Sequence, residues 1–184
     1  MAARVELLSL LQSHRNRVAD GHESAMLEAL IEFVQTESRC AERSLAVGHL
    51  TGSAWVVDAK RERVLLTHHR KLDLWLQLGG HADGDLDLPA VALREAREES
   101  GLTRLRLVGD AIFDVDRHRI PARKLEPEHW HYDVRFLIEA DPSEPLVISE
   151  ESHDLAWVEL ARLSDYTTEE SMCRMARKTL AGAA

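Results

Sequence analysis

The stretch from residue 79 to residue 102 constrains this chain more than any other, because it joins a glycine pair to a helix that carries three glutamates. Asp87 and Pro89 are typical of a helix start, and Gly101 is typical of the residue just after a helix end. The segment therefore predicts a glycine-rich turn followed by one helix.

Helical spacing sorts the side chains of this segment into two faces. One face is a stripe of small apolar residues at i, i+3, i+4 and i+7, suited to close packing on a sheet: Pro89, Ala92, Leu93 and Ala96. A different face carries three carboxylates: Glu95, Glu98 and Glu99. Like charges at this spacing destabilise an isolated helix unless a cation neutralises them. Since Mg²⁺ prefers oxygen ligands and pairs with phosphate oxygens, the pattern predicts a divalent-metal site.

The segment from Gly80 to Leu102 resembles the signature box of the Nudix hydrolases, written G-x5-E-x7-R-E-U-x-E-E-x-G-U with U an aliphatic residue. The spacing matches throughout. Two positions depart from the box, because Leu86 stands at its first glutamate and Ala96 is a small version of U. Asp85 and Asp87 are neighbouring candidates to replace the missing carboxylate.

The resemblance implies an α/β fold, the Nudix α/β/α sandwich with a mixed sheet, over residues 44–184. Residues 1–43 are predicted to form a helical N-terminal extension that serves as a packing brace, a lid or a homodimer surface. Periodicity predicts the elements. They are two helices in 1–43, a hairpin of strands 53–57 and 63–67, strands 75–78, 105–108, 111–115, 131–138 and 155–158, and a final helix 168–180.

The resemblance also implies an enzyme, a Nudix pyrophosphohydrolase acting on phosphoanhydride bonds. Its reaction is expected to be the divalent-metal-dependent hydrolysis of a diphosphate bond in a small molecule, a nucleoside diphosphate linked to another group. Mg²⁺ or Mn²⁺ is expected on Glu95, Glu98, Glu99 and the Gly79 carbonyl, with Arg94 orienting the carboxylates. Glu95 or Glu151 is expected to take the proton from the attacking water.

Glu151 is chosen because an acid six residues before Trp157 resembles a late acid of related enzymes; a plain surface charge is the alternative. A basic segment, predicted to be a loop between strands, is the candidate for binding the diphosphate because guanidinium groups suit phosphate oxygens. A solvated loop is the alternative. Its proposed substrate-binding residues are Arg117, Arg119, Arg123 and Lys124.

Four of the ten histidines fall where this fold would gather them: His49, His81, His129 and His131. Residues i and i+2 of a strand share a face, so the last two can hold one ion. The first two resemble metal-binding histidines of the isopentenyl-diphosphate isomerases, and the last two stand at that family's carboxylate positions. Imidazole ligands favour Zn²⁺ or another transition metal at such a second site. Ordinary pocket histidines are the alternative.

The composition limits which binding partners and which cellular location can be expected for this chain. The 184 residues fit one domain with an appendage, and a net charge of −9 argues against a protein that wraps nucleic acid. The two cysteines, Cys40 and Cys173, form no C-x-x-C pair, and no apolar signal or membrane-spanning run is present. A cytoplasmic protein without a membrane role is therefore expected.

Two other functions compete with hydrolysis. An isopentenyl-diphosphate isomerase-like enzyme is disfavoured because that family has a cysteine before its Gly-His pair, where this chain has Gly79. A non-catalytic Nudix module that binds a nucleotide is disfavoured because it has little need for the intact Arg-Glu-x-x-Glu-Glu set.

Overall fold

A computed structural model of the protein describes residues 2–123 and 127–182. The α-helices are α1 (Ala2–Arg15), α2 (Gly21–Thr36), α3 (Leu88–Ser100) and α4 (Glu170–Leu180), and a 3₁₀ helix covers Leu160–Asp165. The strands are β1 (Gly48–Val57), β2 (Arg63–His69), β3 (Leu74–Leu76), β4 (Leu78–His81), β5 (Arg106–Leu107), β6 (Asp114–Ile120), β7 (His129–Glu139) and β8 (Ser152–Glu159).

These strands form a single mixed sheet with β1 at its centre. The backbone path through the sheet runs β3-β2-β1-β7-β5, while β4 pairs with β1, β6 with β7 and β8 with β2. β1 and β7 are parallel over ten residue pairs, and the other pairings are antiparallel. Because β1 touches β2, β4 and β7, it fixes where the site residues on those strands lie.

Successive residues of β1 point to opposite faces of the sheet and enter two different hydrophobic clusters. Leu50, Ala54 and Val56 pack in the cluster that includes residues of α1, α2 and α3, and Trp55 and Val57 pack in the cluster that includes α4. Helices therefore cover both faces of the sheet, as the predicted α/β/α sandwich requires. The predicted helical N-terminal extension is also present, and its leucines lie in the first cluster.

A group of buried charges, here called the buried ion network, ties α4 to α2 and to the sheet. Asp114 on β6 accepts hydrogen bonds from Nη2 of Arg174 at 2.7 Å and from Nζ of Lys178 at 2.8 Å. Nη1 of Arg135 lies 3.2 Å from the same carboxylate, and Lys178 also reaches Glu23 of α2. Burial alone would raise the pKa of Asp114, but these cations hold it below its usual range.

The predicted hairpin between residues 53 and 67 is only partly right. β1 and β2 pair at the turn, where Val57 faces Val64, and β2 then pairs with β8 along its length. β4 lies beside β1 from Thr51 to Ala54 and takes the place that a full hairpin would give to β2. The hydrophobic pattern of β1 could not reveal this, since all ten of its residues are buried.

Candidate functional site

The start of α3 is shaped by Asp85 and Asp87, the two aspartates that were candidates to replace the missing carboxylate of the box. Oδ1 of Asp87 accepts the N–H of Ala90 at 3.2 Å, and Oδ1 of Asp85 accepts the N–H of Asp87 at 2.9 Å. Between them, Leu86 packs against the hydrophobic core. Both carboxylates therefore serve the turn and the helix cap, which stabilise the first turn of the helix.

The prediction that the three glutamates share a face separate from the packing stripe is wrong for Glu99. Glu99 is only 6% exposed and lies on the buried face of α3 with Ala92 and Ala96, whereas Glu98 is exposed. Oε2 of Glu99 accepts the backbone N–H of Gly79 at 2.8 Å. Helical spacing places Glu99 three residues after Ala96 and seven after Ala92, on the face of the stripe, but its charge led to its grouping with the other glutamates.

The glycine pair lies in strand β4 and does not form the predicted turn. A Cβ atom at Gly79 would lie 2.7 Å from Cα of Ser53, and one at Gly80 would lie 2.2 Å from Oε2 of Glu95. The missing side chains let β4 approach β1 and the acidic face of α3 closely. Glycine is therefore needed here because two segments pack closely. In a sequence, this need looks the same as the need for glycine in a turn.

The predicted pairing of Arg94 with the acidic face is present. One nitrogen, Nη2, donates to Oε1 of Glu95 at 2.9 Å and to the carbonyl of His81 at 3.1 Å. These two hydrogen bonds from one nitrogen join the helix to the end of β4 and hold the Glu95 carboxylate next to Gly80.

The carboxylates of the site raise one another's pKa values. Burial raises the pKa of Glu99 to about 8, and the charges of Glu95 and Glu151 add to this effect, against the N–H of Gly79. Burial also raises the pKa of Glu95, although Arg94 opposes it. Buried carboxyl groups with raised pKa values and few neighbouring cations fit a hard divalent cation, which takes oxygen donors and favours their ionised form.

Glu151 lies at the turn before β8, where its backbone carbonyl accepts the N–H of Arg70 at 2.8 Å. Its side chain is exposed, yet its charge contributes to the raised pKa of Glu99 on α3. The fold therefore brings this late acid near the acidic face of α3, from which it is distant in sequence.

The basic segment is a strand for much of its length, so the prediction of a loop is wrong. Residues up to Ile120 belong to β6 and pair with β7. This pairing provides hydrogen-bond partners for their backbone groups, whether or not their side chains are charged. The Arg117 guanidinium stacks over the ring of Trp130 at 4.4 Å, and Arg119 pairs with Glu128 at 2.5 Å.

Arg123 lies beyond this strand and is exposed. Burial lowers the pKa of His69; the charge of Glu151 opposes this effect, and the charges of Lys71 and Arg123 add to it. Lys124, the fourth predicted substrate-binding residue, lies outside the described residues.

The four predicted histidines come together at one end of β1, β4 and β7. His49 faces His131 across the parallel pair, and ring centroids of His49 lie 5.0 Å from His81, 5.0 Å from His129 and 4.7 Å from His131. Burial, with neighbouring histidines, lowers the pKa of His49 to about 4 and that of His131 to about 2. These two imidazoles are therefore uncharged at neutral pH.

Sequence reasoning missed a fifth member of this group, His118. It faces His131 across β6 and β7, with ring centroids 5.3 Å apart. The signal was the strand alternation within the basic segment, which separates His118 from the flanking arginines. Because the segment was predicted to be a loop, this alternation was not considered.

Comparisons with known proteins agree with this architecture. A family model described as NUDIX domain matches residues 49–178. An Ap4A hydrolase from C. elegans superposes with a TM-score of 0.55 at 20% identity, covering 72% of this chain and 98% of that one. The E. coli dihydroneopterin triphosphate pyrophosphohydrolase gives 0.55 at 17% identity, covering 70% and 92%. The M. smegmatis Nudix hydrolase RenU gives 0.53 at 18%, covering 71% and 83%.

A comparison with curated protein sequences found no match. Among the helices of residues 2–123 and 127–182, none has the length and apolar character needed to cross a membrane.

Proposed function

Because this chain belongs to the Nudix family, whose enzymes hydrolyse diphosphate bonds, we propose that its substrate is a nucleoside diphosphate linked to another group and that catalysis needs Mg²⁺ or Mn²⁺. The observation that carries the proposal is the construction of the acidic face of α3. The Gly79 N–H holds Glu99 and Arg94 holds Glu95, so two carboxyl groups one helical turn apart are fixed in orientation, and a divalent cation would favour their ionised forms.

The oxygen donors for the cation are the carboxylates of Glu95, Glu98 and Glu99, together with the Gly79 carbonyl that the family resemblance implies. A divalent cation bound there supplies neutralisation of the charge that develops on the diphosphate and a more acidic bound water.

The protein groups have separate tasks. Arg94 keeps Glu95 in one orientation, because its guanidinium is also held by the His81 carbonyl. The hydrogen bond from the Gly79 N–H fixes the orientation of the buried Glu99 carboxylate. A carboxylate free of the cation accepts the proton of the attacking water, and Glu95 and Glu151 are the two candidates.

Among the basic residues proposed to bind the diphosphate, Arg123 is exposed and lies beyond the end of β6. Arg117 and Arg119 are engaged by Trp130 and Glu128 within the β6–β7 hairpin. The charges of Arg123 and Glu151 both act on the pKa of His69, and the charge of Glu151 also raises the pKa of Glu99. A guanidinium there can meet the phosphate oxygens of a substrate that lies over the acidic face of α3.

Replacing Arg123 with alanine is expected to raise KM about tenfold with little change in kcat, since a lost charge-assisted hydrogen bond to a bound ground state is worth about 1.5 kcal/mol. Arg119→Ala is the matched control from the same segment and should keep KM near the wild-type value. Steady-state kinetics of both variants decide the matter. Equal KM values for wild type and Arg123→Ala would remove this residue from substrate binding.

The experiment that tests the function is a substrate panel incubated with Mg²⁺ or Mn²⁺, with all products identified. The panel contains nucleoside diphosphate sugars, dinucleoside polyphosphates, nucleotide cofactors and isopentenyl diphosphate. We expect one nucleotide class to be split by water at a phosphoanhydride bond, and a chelator to abolish the reaction. Failure to cleave any of the nucleotides, or conversion of isopentenyl diphosphate to dimethylallyl diphosphate, would overturn the proposal.

A further inference from the structure

The sheet sets three histidine side chains around one point. Ligand atoms of His49, His129 and His131 all lie within 4.8 Å of one another. The parallel register places His49 opposite His131, and His129 shares the face of His131 because it is two residues away on β7. His81, at the end of β4, lies close to both rings, tilted against His49 at a centroid distance of 5.0 Å and edge-on to His131 at 5.1 Å. These four residues are here called the histidine cluster.

His49 is the unusual member, because it is 2% exposed and neither of its ring nitrogens has a hydrogen-bond partner. A buried polar group without a partner costs about 1 to 3 kcal/mol. A bound ion is one way to satisfy a buried ring that is left unpaired in this way.

His129 is already set to act as a ligand. Its Nδ1 lies 2.9 Å from the carbonyl of Pro127, and a carbonyl can only accept a hydrogen bond, so Nδ1 carries the proton. Its Nε2 then carries a lone pair 3.3 Å from Nε2 of His131, where it can accept a hydrogen bond from that ring or bind an ion shared with it. Two nitrogens bound tetrahedrally to one ion at ~2.1 Å stand ~3.4 Å apart, which matches this separation.

We propose that the histidine cluster binds one divalent transition-metal ion of the zinc class, at a site separate from the glutamates of α3. His49, His129 and His131 are the core ligands and His81 completes the set. Imidazole nitrogens prefer Zn²⁺ and its neighbours to Mg²⁺, which takes oxygen ligands. The Pro127 carbonyl fixes the orientation of His129 in the way that hydrogen-bonded partners commonly orient metal-ligating histidines.

The test uses the full chain, purified without a histidine tag, stripped with a chelator and titrated with Zn²⁺ by calorimetry in excess Mg²⁺. We expect one equivalent to bind and the thermal midpoint to rise. Co²⁺ in place of Zn²⁺ should give the visible absorption of a four-coordinate nitrogen site.

Three sets of variants make the result specific. His129→Ala with His131→Ala should weaken Zn²⁺ binding at least about a hundredfold, because half of the ligands are gone. His22→Ala with His153→Ala removes two exposed histidines elsewhere and should bind as wild type does. Glu98→Gln with Glu99→Gln should also keep the Zn²⁺ site, which separates it from the proposed catalytic cation.

Absence of a one-equivalent Zn²⁺ transition in wild type, or unchanged binding after the His129 and His131 changes, would overturn the proposal. Circular dichroism checks folding, and His131→Gln, which keeps size and polarity, replaces the double variant if that one does not fold. None of these readouts depends on hydrolysis, so the proposal can fail while the proposed function stands, and the reverse.

Discussion

Glu99→Gln and Glu98→Gln are each expected to lower kcat at least about a hundredfold, which corresponds to a loss of about 2.7 kcal/mol of transition-state stabilisation. The amide keeps the shape of each side chain but removes the negative charge that fits a divalent cation. Glu99 is the sharper case, because its carboxylate is buried and oriented by the Gly79 N–H. The measurement is steady-state turnover of the best substrate of the panel, at saturating Mg²⁺ or Mn²⁺.

Folding must be separated from chemistry in this experiment. In metal-free buffer, Glu99→Gln should unfold at no lower temperature than wild type, since a neutral amide is easier to bury than a carboxylate. Glu32→Gln, an exposed change on α2, is the matched control and should turn over normally. Near-wild-type rates in both α3 variants, with folding verified, would exclude these glutamates from the mechanism.

Asp114→Ala is expected to reduce the free energy of unfolding by about 3 to 5 kcal/mol, because it leaves buried cations without a counter-charge. Arg174 and Arg135 are each 3% exposed, and both lose a hydrogen-bonded partner, as does Lys178. The thermal midpoint should fall by roughly 10 °C in a chain of this size. Urea unfolding followed by circular dichroism measures this change in the free energy of unfolding.

The control is an exposed ion pair, Arg162 with Asp165, at 2.9 Å. Asp165→Ala should cost less than about 1 kcal/mol, since exposed pairs contribute little. The pKa of Asp114 is lowered in the folded protein, so the stability from this group is full above its ordinary value of 3.8 and is lost as pH falls below that. Equal unfolding free energies for the Asp114 and Asp165 variants would mean that the buried ion network is not stabilising.

The parts of the site that could be predicted from sequence are those that depend on neighbours along the chain. The cap at Asp87, the left-handed Gly101 after α3 and the Arg94–Glu95 contact follow from spacing within one helix. The box that carries them also predicts the fold, because its gapless match is specific.

The parts that could not be predicted depend on contacts between distant segments. Glu99 is buried because β4 offers a backbone N–H and lacks side chains at Gly79 and Gly80. His118 joins the other histidines only because β6 pairs in one register with β7. Such registers are set by tertiary packing, and a one-residue slip would turn every side chain to the other face.

The parallel pairing of β1 with β7 also bears on how the chain is made. Paired residues such as Thr51 and Asp133 are 82 positions apart, so at about 5 to 20 residues per second β1 emerges from a ribosome roughly 4 to 16 seconds before its partner. All ten residues of β1 are buried in the finished protein. During that interval a strand with an open hydrogen-bonding edge can pair with another chain. The strand that organises the histidine cluster is thus also a strand that waits for its parallel partner while the chain is being made.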